Sequence, residues 1–449
     1  MLINGERIIF NGVNRHEFSA KNGRAITKDE ILEDLLIIKK NNINAIRTCH
    51  YPNNSYFYRL CDELGFYVID ETNLETHGYW QKLGDESYTK NTLPDNHPQW
   101  HDNVISRGEA MLCRDKNHAC VIIWSCGNES FGGQTLFDLS NYFRNTDPSR
   151  LVHYEGLFHD RRFNATSDME SQMYTRVSDV RKFLKEHDDK PMIMCEYTHS
   201  MGNSNGGMNL YTDLAKEGGL FQGGFIWDFA DQAFFAKTEN STDYLAYGGD
   251  FGDRPTDYNF SGNGIVFADR SLTPKMAAVK YNYQSFELCV TKDSVEIENF
   301  NLFTNLNEYE TVLTLSKNGV AIYSKSLGKL NLEPKSKASF GYTLPSVYSK
   351  KAGEYTIEIS IRLLTDTAYA KAGYEIAFEQ YVYKVDVNEV TPAVTGKLEL
   401  CGEPVNYAIV GENFRAIFNN ERGSLVSLVS NGKELIKAPN NSKLLESSN

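Results

Sequence analysis

Eight short apolar runs recur along the first 280 residues, and nearly every one is apolar first and polar last. They are "RIIFNGVN" (7–14), "AIRTCHY" (45–51), "FYVIDETN" (66–73), "CVIIWSCGNE" (120–129), "LVHYEG" (151–156), "SDMESQMY" (167–174), "PMIMCEY" (191–197) and "GGFIWDF" (223–229). Helical patterns lie between most of them. The clearest is Lys28–Asn41, where Thr27 and Glu30 have capping-box spacing and Ile31, Leu35 and Ile38 recur at helical period. Residues 54–64, 100–115 and 135–144 read as further helices. Strands alternating with helices predict a parallel α/β architecture. A count of eight favours a closed (β/α)8 barrel over an open doubly wound sheet. Such a barrel carries its chemistry at the C-terminal ends of the strands, where these runs turn polar. No GxGxxG follows a strand, so nothing supports a dinucleotide site.

Beyond about residue 283 the texture changes. "ETVLTLSKNGVAIYSKSLGKLNL" and "GEYTIEISIRL" alternate apolar and polar residues with period two, and turn residues separate them. The expected organisation is a barrel over residues 1–283, an immunoglobulin-like antiparallel β-sandwich over 284–390, and the truncated start of a further β-sandwich domain over 395–449. The start, "INGERIIFNG", also reads as cut mid-strand. The net charge of −13 argues against a nucleic-acid partner, which needs a basic face. No run approaches the roughly 18 apolar residues of a membrane helix, so no membrane association is expected. None of the eight cysteines forms a CxxC pair, and several sit in apolar runs, as in a reducing compartment. The expected location is cytoplasmic, or periplasmic if a signal precedes Met1.

Three strand ends carry carboxylates. Asn128-Glu129 ends the fourth run, Glu196 ends the seventh, and Glu71, Glu75 and His77 follow the third. In a closed barrel the fourth and seventh strands face each other across the mouth. Two carboxyl groups so placed can serve a glycosidic bond, one protonating the leaving oxygen and the other attacking the anomeric carbon or activating water. Taken singly, each has an ordinary reading as a cap, an ion-pair partner or a helix start. Glu75 and His77, two residues apart, can share one ion, with oxygen and nitrogen ligation suiting magnesium or manganese. Trp227 can offer its face to a sugar or sit in the core. "DYNFSGNG" (257–264) can hold a monovalent cation or form an ordinary turn.

The ordered set "NGVNRHEF", "IRTCHYPN", "GFYVIDETNLETHG", "VIIWSCGNES", "CEYTHSMGNS", "GGFIWDF", "GGDFGDRPTD" and "NGIVFADRSLTPK" resembles the β-galactosidases of glycoside hydrolase family 2, of the large multidomain type. The resemblance spans residues 4–280, and the layout of the β segments that follow also fits. It implies a retaining β-galactosidase with a TIM barrel, acting on terminal β-D-galactosyl residues. Glu196 is then the nucleophile and Glu129 the acid/base. Glu75, His77 and Glu129 match magnesium ligands. Phe260, by its carbonyl, and Asn263 match ligands of sodium or potassium. Asn128, His16, His50, Tyr174, His199 and Trp227 match substrate-contacting positions. The full-length form is expected to be a homo-oligomer. The family's domains ahead of the barrel are not in this sequence, nor is an aromatic platform from its large C-terminal domain, so weak or no turnover is expected of this chain alone. Family members acting on glucuronides carry an Asn-x-Lys element in the barrel. None occurs in residues 1–280, which favours a neutral sugar.

Overall fold

The computed structural model describes residues 1–81, 92–95, 97–346, 352–386, 396–402 and 404–437. Eight parallel strands form one sheet: β1 (Phe10–Asn14), β2 (Ala45–Arg47), β3 (Tyr67–Glu71), β4 (Val121–Ser125), β5 (Leu151–His153), β6 (Glu170–Met173), β7 (Met192–Tyr197) and β8 (Phe221–Ile226). Their order is β5-β4-β3-β2-β1-β8-β7-β6. The sheet therefore closes through the β1–β8 ladder, where Gly223 to Ile226 pair with Phe10 to Val13. An open doubly wound sheet is excluded. The remaining seam lies between β5 and β6. There the Asp168 amide donates to the Val152 carbonyl (2.8 Å), and the Val152 amide donates to Asp168 Oδ2 (2.7 Å).

Helices α1 (Lys28–Lys40), α2 (Ser55–Leu64), α3 (His101–Asp115), α4 (Gln134–Thr146), α5 (Val177–Glu186), α6 (Met208–Lys216) and α7 (Lys275–Asn282) surround the sheet. Between β5 and β6 the chain makes only 3-10 turns, Gly156–Phe158 and Arg161–Thr166. In α1 both halves of the Thr27/Glu30 capping box form, acidic residues occupy the first turn and lysines the last, as the helix dipole favours. Ile31, Leu35 and Ile38 pack against the outward face of the strands.

The strand period of two sorts the barrel interior into layers. The lower layer is apolar: Phe10, Ala45, Ile69, Ile123, Met169, Ile193 and Phe225 form one buried cluster. Stepping along the strands toward their C-terminal ends brings Asn14, Arg47, Glu71, Ser125, His153 and Ser171 inward, all fully buried. Close passage of β8 along β1 requires glycine. Gly223 has φ +91°, and a Cβ there would lie 2.3 Å from the Phe10 carbonyl oxygen.

After the barrel, three strands (Phe286–Val290, Ser294–Asn299, Lys337–Gly341) and four strands (Tyr309–Lys317, Val320–Gly328, Gly353–Leu363, Glu375–Val385) make two antiparallel sheets over a shared apolar core. Met1–Val385 is one compact unit and Asp386–Asn449 a second. The second contains a five-stranded antiparallel sheet between Glu399 and Glu434. The boundary expected between residues 390 and 395 lies outside the described residues, as do residues 438–449. Among the described residues, no helix is long and apolar enough to cross a membrane.

One buried ion cluster ties α1 to the barrel mouth. Asp34, fully buried in α1, accepts from Arg15 just past β1 (2.8 and 3.0 Å) and from Arg270 (2.6 Å). Replacing Asp34 with Ala leaves two buried guanidinium groups without their shared counter-charge. Chemical denaturation of Asp34→Ala is expected to show a loss of about 3–5 kcal/mol relative to wild type.

Candidate active site

Arg47, at the end of β2, is fully buried and makes four hydrogen bonds to four side chains. Nε donates to Glu71 Oε2 (2.8 Å), Nη1 to Asn14 Oδ1 and to Glu196 Oε1 (both 2.9 Å), and Nη2 to Asn128 Oδ1 (2.8 Å). The partners come from β3, β1, β7 and the loop after β4. Ser125 Oγ lies 2.8 Å from Glu71 Oε2 and 2.9 Å from His153 Nδ1, and His153 Nε2 lies 2.8 Å from Ser171 Oγ. A carboxylate only accepts, so Ser125 donates to Glu71 and accepts from His153 Nδ1–H. His153 Nε2 then accepts from Ser171. Burial, reinforced by Arg47, pushes His153 down to about 3, which keeps the imidazole neutral.

Glu196 is the next-to-last residue of β7, with its side chain 5% exposed. One oxygen accepts from Arg47. The other accepts from the Tyr174 hydroxyl at 2.7 Å. Burial and the adjacent Glu196 charge push the Tyr174 phenol upward, so it remains a proton donor. His50 Nε2 stands 3.9 Å from Glu196 Oε1, while His50 Nδ1 meets Glu71 Oε1 at 2.7 Å.

Glu129, in the loop after β4, meets different surroundings. Its side chain is 23% exposed and contacts His77 Nδ1. Burial raises its carboxyl above the usual range. The Glu196 charge raises it further, against a lowering by His77. Its backbone amide donates to Glu155 Oε1, a carboxyl that burial pushes well up. Glu75, His77 and Glu129 can each present a ligand atom such that all lie within 4.8 Å of one another. Asn128 Nδ2 donates to Glu75 Oε1 (3.3 Å), which ties this trio to Arg47.

The remaining predicted residues line the same mouth. Trp227 stacks on His50 at 5.3 Å, with the rings 8° from parallel, and meets His16 edge-on at 5.5 Å. His16 Nδ1 lies 3.1 Å from the Tyr51 hydroxyl. His199 packs against Tyr174 and Phe260 (5.7 and 5.8 Å). Burial depresses both His16 and His199, so neither is readily charged. Asn263 Nδ2 donates to the Phe260 carbonyl (3.0 Å), and its buried Oδ1 has no hydrogen-bond partner among the described residues.

Residues 1–288 match the family model described as glycosyl hydrolases family 2, TIM barrel domain, and residues 295–384 match β-galactosidase domain 4. The chain belongs to glycosyl hydrolases family 2. Three relatives in this family are bacterial. A β-galactosidase of Halalkalibacterium halodurans is 48% identical over 98% of this chain and 43% of its own length. One of Clostridium acetobutylicum is 47% identical over 97% of this chain and 48% of its own. A β-galactosidase large subunit of Lactobacillus helveticus is 47% identical over 63% of this chain and 45% of its own. The chain thus spans about half the length of the curated relatives it matches.

Sequence reasoning did not assign Arg47, Asn14, Ser125, His153 or Glu155, and gave Glu71 no role. The available signal was a charged residue inside "AIRTCHY" at an inward strand position. Glu71 is testable by acid. Burial alone would raise its carboxyl, but Arg47 and His50 overcome this and hold it at about 2. The folded value lies below the unfolded one, so this stability is present above the unfolded value and is lost as pH falls through the folded one. Between about pH 5 and pH 2, wild type is expected to lose about 3 kcal/mol more than Glu71→Gln, read from denaturation midpoints across pH.

Proposed function

We propose that this chain carries the catalytic centre of a retaining β-galactosidase. The observation that supports this most is the unequal treatment of two carboxyl groups in one barrel mouth. Glu196 faces a buried guanidinium and a phenol. Glu129 sits where burial and Glu196 raise its proton affinity. That division suits double displacement. Glu196 attacks the anomeric carbon while Glu129 gives its proton to the departing glycosidic oxygen. The glycosidic C–O bond breaks and a galactosyl ester forms on Glu196. Glu129, now a carboxylate, takes a proton from water. The water oxygen attacks the anomeric carbon and Glu196 leaves as carboxylate, so configuration is retained.

Around that centre, Trp227 offers a face to the sugar ring, and His16, His50, His199 and Tyr174 offer polar atoms to its hydroxyls. Asn128, held by Arg47, is the residue we assign to the 2-hydroxyl. A galactoside is favoured by the names of the relatives, and a neutral sugar by the lack of Asn-x-Lys in the barrel sequence.

Glu75, His77 and Glu129 offer hard oxygen donors and one imidazole, a set that fits Mg2+ with waters completing its shell. When bound, the ion adds positive charge beside Glu129 and so tunes how readily it exchanges its proton. The Oδ1 of Asn263, without a partner among the described residues, and the Phe260 carbonyl fit Na+ or K+.

Incubation with an activated 2-fluorogalactoside, followed by digestion and mass spectrometry, is expected to label the peptide bearing Glu196. Labelling elsewhere would overturn the assignment, and none in a folded chain would mark a catalytically dead fragment. Removing divalent ions with EDTA is expected to lower kcat on an aryl galactoside, and added Mg2+ to restore it. His77→Ala is expected to need at least about tenfold more Mg2+ for the same recovery.

A further inference from the structure

A second set of metal-ligating groups lies deeper in the mouth, apart from Glu75 and His77. His16, Cys49 and His50 can each present a ligand atom such that the three lie within 4.8 Å of one another. Cys49 is fully buried and His50 is 8% exposed. We infer that these three residues form an inhibitory site for a thiophilic dication of the zinc class, in the same barrel mouth.

Four features of the geometry support it. First, the donors are one thiol and two imidazoles, a set that selects zinc-like ions over magnesium. Tetrahedral bonds of about 2.0–2.3 Å place neighbouring donors about 3.4 Å apart, so inward shifts of about 1 Å close the set. Second, Glu71 lies 2.7 Å from His50 Nδ1, so that in the neutral ring Nδ1–H donates to it and Nε2 carries the lone pair. A carboxylate behind a ligating imidazole is the usual support for such a ligand. Third, Glu196 Oε1 stands 3.9 Å from His50 Nε2, within reach as a fourth donor. Fourth, the local charge is suited. Arg47 faces both Glu71 and Glu196, and the excess negative charge is offset by a dication held on one thiolate.

Binding would transfer the Cys49 thiol proton to buffer as the sulfur–metal bond forms. The ion would then occupy His50 and Glu196 and exclude any ligand from the pocket. None of this requires that ligand to be a galactoside.

The probe is Cd2+ with the full chain, in excess Mg2+ to hold the Glu75–His77–Glu129 donors. The exposed thiols Cys113, Cys289 and Cys401 are first alkylated under native conditions. Titration is expected to produce a saturable thiolate-to-cadmium charge-transfer absorption with one ion per chain. Cys49→Ala is expected to abolish that absorption and weaken Cd2+ binding by at least about 100-fold. X-ray absorption at the cadmium edge of wild type gives a reading that does not depend on the variant folding. One sulfur with nitrogen neighbours supports the site. An oxygen and nitrogen shell without sulfur, or unchanged Cd2+ affinity in a folded Cys49→Ala chain, overturns it.

Discussion

Arg47 is the interaction on which the mouth of the barrel depends. A guanidinium with no solvent contact is tolerated only where its N–H groups are met and its charge is balanced. Here Glu71 and Glu196 supply the charge, and Asn14 and Asn128 supply further acceptors. The planar fork fixes these partners relative to one another, which a flexible ammonium could not do. Glu196 is thereby held by the same group that orients Asn128, the residue next to Glu129. The two carboxyl groups proposed for catalysis are thus linked through one side chain, although they lie 67 residues apart in sequence.

What could be read along the chain was local or periodic. Thr27 and Glu30 announced a helix start because a capping box needs only four consecutive residues. The run "PMIMCEY" announced a buried strand ending in Glu196 because apolar residues preceded a carboxylate. Glu75 and His77 stood out by spacing, and the structure gathers them with Glu129. The Arg47 network was not legible in the same way. Its members are single residues on several strands, and nothing in "AIRTCHY" states which acceptors the guanidinium will meet. Tyr174 shows the same limit. Its family position pointed to substrate, while its hydrogen bond to Glu196 follows only from β6 lying beside β7.

The layering of the barrel explains why the polar network can exist at all. Beneath it, Phe10, Ile69, Ile123, Ile193 and Phe225 fill the interior and exclude water from below. Above it, the loops open to solvent. The polar layer therefore lies between a dry floor and a wet mouth. Electrostatic interactions there are less screened than at the surface. Buried His153 stays neutral and Glu71 stays charged in that same layer, since the Arg47 charge favours a carboxylate and disfavours an imidazolium.

The seam between β5 and β6 has a mechanical meaning. Every other neighbouring pair in the ring shares a run of ladder hydrogen bonds, whereas here Val152 and Asp168 exchange one main-chain bond and one side-chain bond. A ring closed at one gap by a single main-chain bond, with only side-chain bonds such as His153 to Ser171 beside it, opens at that gap first. Slow breathing of this barrel would begin on the side that carries Glu155 and Tyr174, so the groups that abut Glu129 and Glu196 sit at the edge of the least cooperative part of the wall.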